Sequence, residues 1–407
     1  MAAAVETGSN VELSGPSTVG LFGTYYPEFQ KAGNSTTGFS LLWASLPGVE
    51  RVVVVAPRGS TLPPGVPPGR IEIHPTWELD RLTGLARAAL HILRHGRGWD
   101  VLVWNIHLTS FGRRPWVNAF GLSLPSFLSK TTGRRPVVFL HHLLESQDVA
   151  SLGYRPSGFT RRVVHLLESA LVRSCRVVVP LESQRVAVRA HFGTEVAVRF
   201  PVHVEGVASG LVAPPGAPAR GPTSPRSGPH VRRRVLLFGY WGPQNELEGV
   251  LEDLARADGD RGRFEVTVAG EVNVNFPEYE ARLRELGTRL PRAMFRFIGP
   301  VPEEQLAALF AHHDVLVLPY RATGGYSGTM NLAAPSGIGL VAYDLPQLRE
   351  TAEAIGARVW FVAPRDPRAL GEAIEAAAGL ARAPGRHAVD PTAWERARRA
   401  AAEILTA

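Results

Sequence analysis

The sequence predicts an α/β protein made of two doubly wound, Rossmann-like domains facing a central cleft. Three observations carry this. Near-continuous apolar runs recur, at 18–23 (TVGLFG), 51–56 (RVVVVA), 101–104 (VLVW), 137–140 (VVFL) and 176–179 (RVVV) in the front half, and at 235–239, 264–269, 295–298, 314–318 and 340–343 in the rear half. Such runs suit strands buried on both faces of a parallel sheet. Helical spacing separates them, at 79–95 and 161–173 in front and at 278–290, 303–312 and 369–380 behind, and strand–helix alternation builds doubly wound sheets. A segment dominated by Pro, Gly, Ser and Arg, 208–234, interrupts the pattern and lacks the apolar content of a core.

The expected organisation is a disordered leader at 1–16, a front domain at 17–207, a linker or insertion at 208–234, a rear domain at 235–390 and a terminal helix at 391–407 that packs back on the front domain. The 407 residues are 45% hydrophobic and 20% charged, which excludes a wholly disordered chain. The single cysteine, Cys175, excludes an intramolecular disulfide and a Cys-x-x-Cys zinc site. No run of about 18 apolar residues exists to span a membrane, and the N-terminus lacks the basic-then-apolar order of a signal peptide. The expected location is the cytoplasm, with peripheral contact at the inner face of the membrane.

The net charge of +7 is unevenly spread: residues 1–200 carry +8, 201–234 carry +4 and 235–407 carry −5. Arg161 to Arg173 is basic and amphipathic, and Arg113-Arg-Pro-Trp116 with Phe120 adds a basic-aromatic stretch. Together they nominate an anionic membrane surface as a partner of the front domain. No basic stripe with interleaved stacking aromatics is present, so no nucleic-acid partner is expected.

Ligands of doubly wound sheets bind at the carboxyl ends of the strands. After the first strand comes a long loop, Gly23 to Gly38, which is not G-x-G-x-x-G and so does not indicate a bound NAD. Its Lys31, Gly33 and Asn34 are nominated to face the transferred sugar or the acceptor, with Gly33 and Gly38 free to take positive φ. The fourth front strand runs into His141-His142, placed for proton transfer or for bonding a sugar hydroxyl. Adjacent strand residues point to opposite faces, which disfavours a shared metal. In the rear half, the strand 314–318 leads into Pro319-Tyr-Arg-Ala-Thr-Gly-Gly-Tyr-Ser-Gly-Thr-Met-Asn331. Ser327 is a natural N-cap, Gly325 and Gly328 admit a ligand to the backbone, and Arg321 supplies positive charge: an anion cradle suited to a diphosphate.

At this stretch the chain resembles the retaining, family-4-like glycosyltransferases of the GT-B fold. Their rear domains carry a sequence of the form P-S-x-x-E-G-F-G-x-x-x-x-E-A-x-A-x-G-x-P-V-V-A. Here Leu318-Pro319 leads to Gly325-Tyr326-Ser327, then Ala333, Gly337 and Leu340-Val341-Ala342. Phe297 to Leu306 and Asp314 to Pro319 look like that family's F-x-G-x-V and A-D-V-x-V-x-P, and Val235 to Gly239 like the first strand of its nucleotide-sugar domain. The resemblance is good over about 235–370 and looser over 18–205. The family's two motif glutamates fall on Gly324 and Leu332, and its diphosphate-gripping Arg and Lys fall near Tyr240 and Asn245, all four uncharged.

The resemblance implies sugar transfer from a nucleotide-activated donor, with no cofactor and no obligatory metal. The expected donor contacts are Arg321, Gly325, Tyr326, Ser327, Gly328, Thr329, Asn331, Glu350 and Gly239, with Arg199 as a supplementary cation. The acceptor is a carbohydrate or a lipid-linked molecule. Two alternatives are a glycosyltransferase-like scaffold that has lost donor chemistry and a sugar-nucleotide epimerase of the same architecture.

Overall fold

The computed structural model describes residues 17–25, 34–63, 66, 69–107, 110–143, 157–214, 232–259, 261–273, 276–289, 294–381 and 392–406. Val, Leu and Phe runs form strands of two all-parallel sheets. The front sheet contains β1 (Ser17–Phe22), β2 (Val49–Pro57), β3 (Ile71–Trp77), β4 (Val101–Ile106), β5 (Val137–Leu140), β6 (Arg176–Val179) and β7 (Ala197–Val198), in the order β3-β2-β1-β4-β5-β6-β7. The rear sheet contains β8 (Arg233–Trp241), β9 (Phe264–Val272), β10 (Phe295–Gly299), β11 (Val315–Leu318), β12 (Gly339–Tyr343) and β13 (Val359–Val362), in the order β10-β9-β8-β11-β12-β13. Each order reverses beside its first strand, between β1 and β4 in front and between β8 and β11 behind. A crevice opens at such a switch point.

Helices cover both faces of each sheet. In the front domain these are α1 (Ser35–Ala44), α2 (Leu82–His95), α3 (Pro115–Thr132), α4 (Gly158–Ser174), α5 (Glu182–Phe192) and the short α6 (Val204–Ala208). In the rear they are α7 (Leu247–Asp258), α8 (Glu278–Arg289), α9 (Leu306–His312), α10 (Gly328–Ala333), α11 (Pro346–Ile355) and α12 (Pro367–Ala381). The last helix, α13 (Ala393–Leu405), puts Ala397, Ala401 and Ile404 into the front core, where the Trp43 indole donates to the Ala401 carbonyl at 2.8 Å.

The strands missed by apolar pattern alone, β3, β7 and β13, are edge strands. An edge strand is only half covered, and β3 carries His74 and Pro75, so no continuous run survives. The basic-aromatic stretch from Arg113 leads into a helix, α3, with Gly121 and Pro125 inside it. Part of the segment read as a linker packs: Leu211 joins the rear core and Val212 the front core, because two apolar side chains suffice where the chain passes between domains. Residues 215–231 lie outside the described residues.

Candidate active site between the two sheets

The rear side of the cleft is assembled from two strand ends. Gly239 near the end of β8 faces Tyr320, two residues past β11. A Cβ placed on Gly239 would meet only the Tyr320 hydroxyl, at 4.0 Å. That hydroxyl lies beside those of Ser327 and Thr329, and burial raises its pKa. The turn after β8 is closed by Asn245: its Oδ1 accepts from the Gly242 N–H at 2.9 Å, and its backbone pairs with Tyr320. This position, which in the resembling family carries a cation, therefore shapes the turn.

Arg321 comes to the same place. Its N–H donates to the Gln244 carbonyl at 2.8 Å, and its Nε lies 3.2 Å from the Glu246 carboxylate. Glu246 also holds Arg365 at 2.9 Å. Two guanidiniums thus share one carboxylate at the rim of the rear switch point, and an incoming diphosphate would compete with Glu246 for them. Arg199 does not contribute; its Nε lies 3.6 Å from Glu403 on α13.

The front side is a corner of histidines at the ends of β4 and β5. His141 is 2% exposed. Its Nε2 lies 2.6 Å from the Asn105 Oδ1, while the Asn105 amide N–H groups donate to Ser35 and Thr36 hydroxyls at the start of α1. That network assigns the His141 proton to Nε2. Burial, with His142 adding to it, pushes the His141 pKa well below its ordinary value, so the ring is neutral. Its ring stacks on His107 at 3.9 Å, and His107 lies 5.0 Å from His142. The expectation of His141 as a proton carrier is corrected: a neutral, buried ring with a bonded Nε2 positions its neighbours. His142, like His107, is half-buried.

The glycine turn abuts this corner. A Cβ on Gly325 would lie 2.5 Å from the His141 carbonyl oxygen and 3.0 Å from the His142 Nδ1. Gly325 is thus required by contact with the front domain, which corrects the expectation that a ligand reaches its backbone. Ser327 caps α10, accepting from the Met330 N–H, and its own N–H donates to Thr351 at 3.2 Å. With α10 only six residues long, the aligned peptide dipoles expected to cradle a diphosphate are few. The polar groups gathered at this strand end are the Tyr320, Ser327 and Thr329 hydroxyls, with Arg321 next in the chain.

Three other nominated donor contacts hold the domains together. The Tyr326 ring stacks on His141 at 5.7 Å and meets Phe200 at 5.1 Å, and its hydroxyl donates to Glu205. Asn331 is fully buried. Its amide donates to the Pro201 carbonyl and to Glu205, and its Oδ1 accepts from the His203 N–H at 2.8 Å. With both amide protons used internally, Asn331 has none for a donor, and that assignment is corrected. Glu350 accepts from the Ser183 N–H of α5 at 3.3 Å, also across the cleft.

Asn34 caps α1, accepting from the Thr37 N–H at 3.2 Å. Gly38 lies inside α1, where a Cβ would come 2.2 Å from the Val204 carbonyl oxygen; its role is close packing on α6, which corrects the expectation of positive φ. Lys31 and Gly33 lie outside the described residues. Among the described residues no group of His, Cys, Asp or Glu is arranged to hold a metal ion. Sequence reasoning missed His107, Tyr320, Glu205 and Glu246. The first two sit just past strand ends and were open to the rule that found His141. Glu205 and Glu246 matter through partners distant in sequence.

Residues 232–379 match the family model described as Glycosyl transferases group 1. No curated protein matches the chain. Among solved structures, the chain is similar to HepE of Anabaena in complex with UDP-glucose, at 15% identity and TM-score 0.61, covering 96% of this chain and 99% of that one. It is similar to sucrose-phosphate synthase from Thermosynechococcus elongatus, at 14% identity and TM-score 0.58 over 96% and 95% of the two chains. It is also similar to WaaG, a glycosyltransferase involved in lipopolysaccharide biosynthesis, at 15% identity and TM-score 0.54 over 94% and 95%. The fold is that of the GT-B glycosyltransferases.

Proposed function

We propose that this chain, with its GT-B fold and a rear domain matching the group 1 glycosyl transferase model, moves a sugar from a nucleotide-activated donor to a carbohydrate or lipid-linked acceptor. One observation carries the reading: a Cβ at Gly239 would meet only the Tyr320 hydroxyl, which lies beside the Ser327 and Thr329 hydroxyls, with Arg321 next in the chain. The diphosphate sits there, and the sugar extends toward His142. In such a transfer the charge to be stabilised develops on the leaving diphosphate, and preorganised hydroxyls, N–H groups and guanidinium do that electrostatically. A retaining, metal-independent hexosyl or pentosyl transfer fits this arrangement. Solved neighbours with UDP and UDP-glucose bound support a uridine nucleotide as the first donor to try.

Thermal stabilisation by UDP, GDP and ADP tests the reading. A donor enzyme gains about 2.7 kcal/mol at ~100-fold excess over the dissociation constant. The second reading, a binding or scaffold protein, is favoured by Glu246 already neutralising Arg321 and Arg365. No shift with any nucleotide would establish it.

The front domain also offers a surface for a membrane-borne acceptor, at the cytoplasmic face. Of eight large hydrophobics exposed among the described residues, Trp116, Phe120, Phe127, Phe159 and Leu166 lie on α3 and α4. Arg113, Arg114, Arg161 and Arg162 are exposed beside them, and no Asp or Glu occurs between Asp100 and Glu145. Aromatics flanked by uncompensated Arg suit an anionic bilayer surface. Co-sedimentation with anionic but not neutral liposomes is expected; equal recovery with both removes the electrostatic part.

A further inference from the structure

The joint between the domains concentrates three features of the chain. His203 holds φ +54, a left-handed conformation uncommon outside glycine. Two residues on, Glu205 is 5% exposed, and its carboxylate accepts from Tyr326 of the glycine turn and from Asn331 of α10. Asn331 in turn clamps His203 and Pro201. Glu205 also lies 3.8 Å from where a Cβ of Gly328 would be. It therefore sits directly against the turn that rims the donor space. Beyond Tyr326 the contacts continue to His141, Asn105 and the start of α1.

We propose that Glu205 is a positioning residue for sugar transfer: by holding Tyr326 and Asn331 it seats the glycine turn against the His141–His142 corner. This rests on the transfer reading for its catalytic consequence, but the positioning itself does not. The acid belongs to the segment that crosses between domains, while the two residues it holds belong to the rear domain. It thus couples closure of the cleft to the shape of the donor rim. At the family's glutamate positions this chain has Gly324 and Leu332; here a carboxylate reaches the same loop from the other domain.

The groups facing Glu205 are Tyr326 from the turn, Asn331 and Gly328 from α10, and His203 from its own segment. His141 lies behind the Tyr326 ring, and Arg396 of α13 lines the cavity beside His203. Among the described residues no cation lies within ion-pair distance of the carboxylate. Burial without a cation pushes its pKa up to about 7, so the hold changes protonation near neutrality.

The test uses the full chain and the variants Glu205→Ala and Glu205→Gln, with UDP-glucose as donor probe. Hydrogen exchange, corrected for intrinsic rates, should be about tenfold faster over 325–331 in Glu205→Ala, with the rest of the rear domain unchanged. Turnover should lose about tenfold in kcat with KM changed by less than about threefold. Glu205→Gln keeps an acceptor for the Tyr326 hydroxyl. It should restore most protection and kcat, and abolish the pH dependence of exchange over 325–331 expected of the parent chain between about pH 4.5 and 7. Unchanged exchange over 325–331 in Glu205→Ala overturns the proposal whatever the activity. If Glu205→Ala does not fold, a parental pH response in Glu205→Gln overturns it. If the parent chain does not turn over UDP-glucose, exchange still decides the positioning role, and the transfer reading alone is at fault.

Discussion

Two glycines occupy equivalent places, each near the carboxyl end of the first strand of its sheet. A Cβ on Gly23 in the front domain would lie 2.6 Å from the Thr36 hydroxyl and 3.1 Å from the Asn105 carbonyl oxygen. A Cβ on Gly239 in the rear domain would touch nothing closer than 4.0 Å. The same topology thus produces a filled switch point and an open one. In front, Ser35, Thr36, Asn105 and His141 bond to one another and occupy the crevice with protein. Behind, the nearest group among the described residues to that position is the Tyr320 hydroxyl. The front network is closed by its own hydrogen bonds, and the rear position is the one where the proposed donor would fit.

The largest expected effect attacks the joint between the two domains. Asn331→Ala leaves the Glu205 carboxylate, the His203 N–H and the Pro201 carbonyl short of partners. It should cost about 4 kcal/mol in denaturant unfolding; a loss under about 1 kcal/mol would mean that the two domains are held together elsewhere.

Next comes the pH dependence of the same joint. Burial pushes the Glu205 pKa up to about 7 in the folded protein, from an ordinary 4.5. Between those values the folded state keeps a proton that the unfolded state has released. The associated stability is fully present below about pH 4.5 and is lost as pH rises through about 7, a fall of about 3 kcal/mol. Glu205→Gln should flatten that slope, as read from unfolding at several pH values; an unchanged slope assigns it to another group.

The two glycines themselves give the third comparison. Gly23→Ala forces a methyl group into packed atoms and should destabilise by about 2 kcal/mol. Gly239→Leu should leave stability within about 0.5 kcal/mol and weaken UDP binding by more than about 30-fold, through occupation of the space. Calorimetry and thermal unfolding of both variants decide this, and a reversal of the two outcomes would move the pocket to the front. The smallest effects concern charge at the rim. Arg321→Ala should weaken UDP binding by about tenfold, and Glu246→Gln should tighten it by about threefold by releasing two guanidiniums. Identical affinities would remove Arg321 from the site.

Strand positions were within reach of the sequence where strands are buried on both faces, as Val137 to Leu140 and Val315 to Leu318 are, because burial imposes a continuous apolar run. They were out of reach at β3 and β13, whose edge positions relax that demand. In the site, the sequence nominated the glycine turn and the histidine pair, which the fold brings into contact. It could not tell that Gly325 meets a carbonyl rather than a ligand, nor which histidine is buried, since both depend on what the other domain brings.

By itself the sequence determined two parallel α/β units, the glycine turn after β11 and the histidine pair after β5, because hydrophobic periodicity and turn chemistry are local properties of the chain. Only the tertiary structure decided that Asn331 and Tyr326 join the domains, that Arg321 shares Glu246 with Arg365, and that the rear crevice is open while the front one is filled. Those outcomes turn on desolvation, steric occupancy and hydrogen-bond partnership between residues distant in sequence, such as Glu205 and Asn331, and no local pattern encodes them.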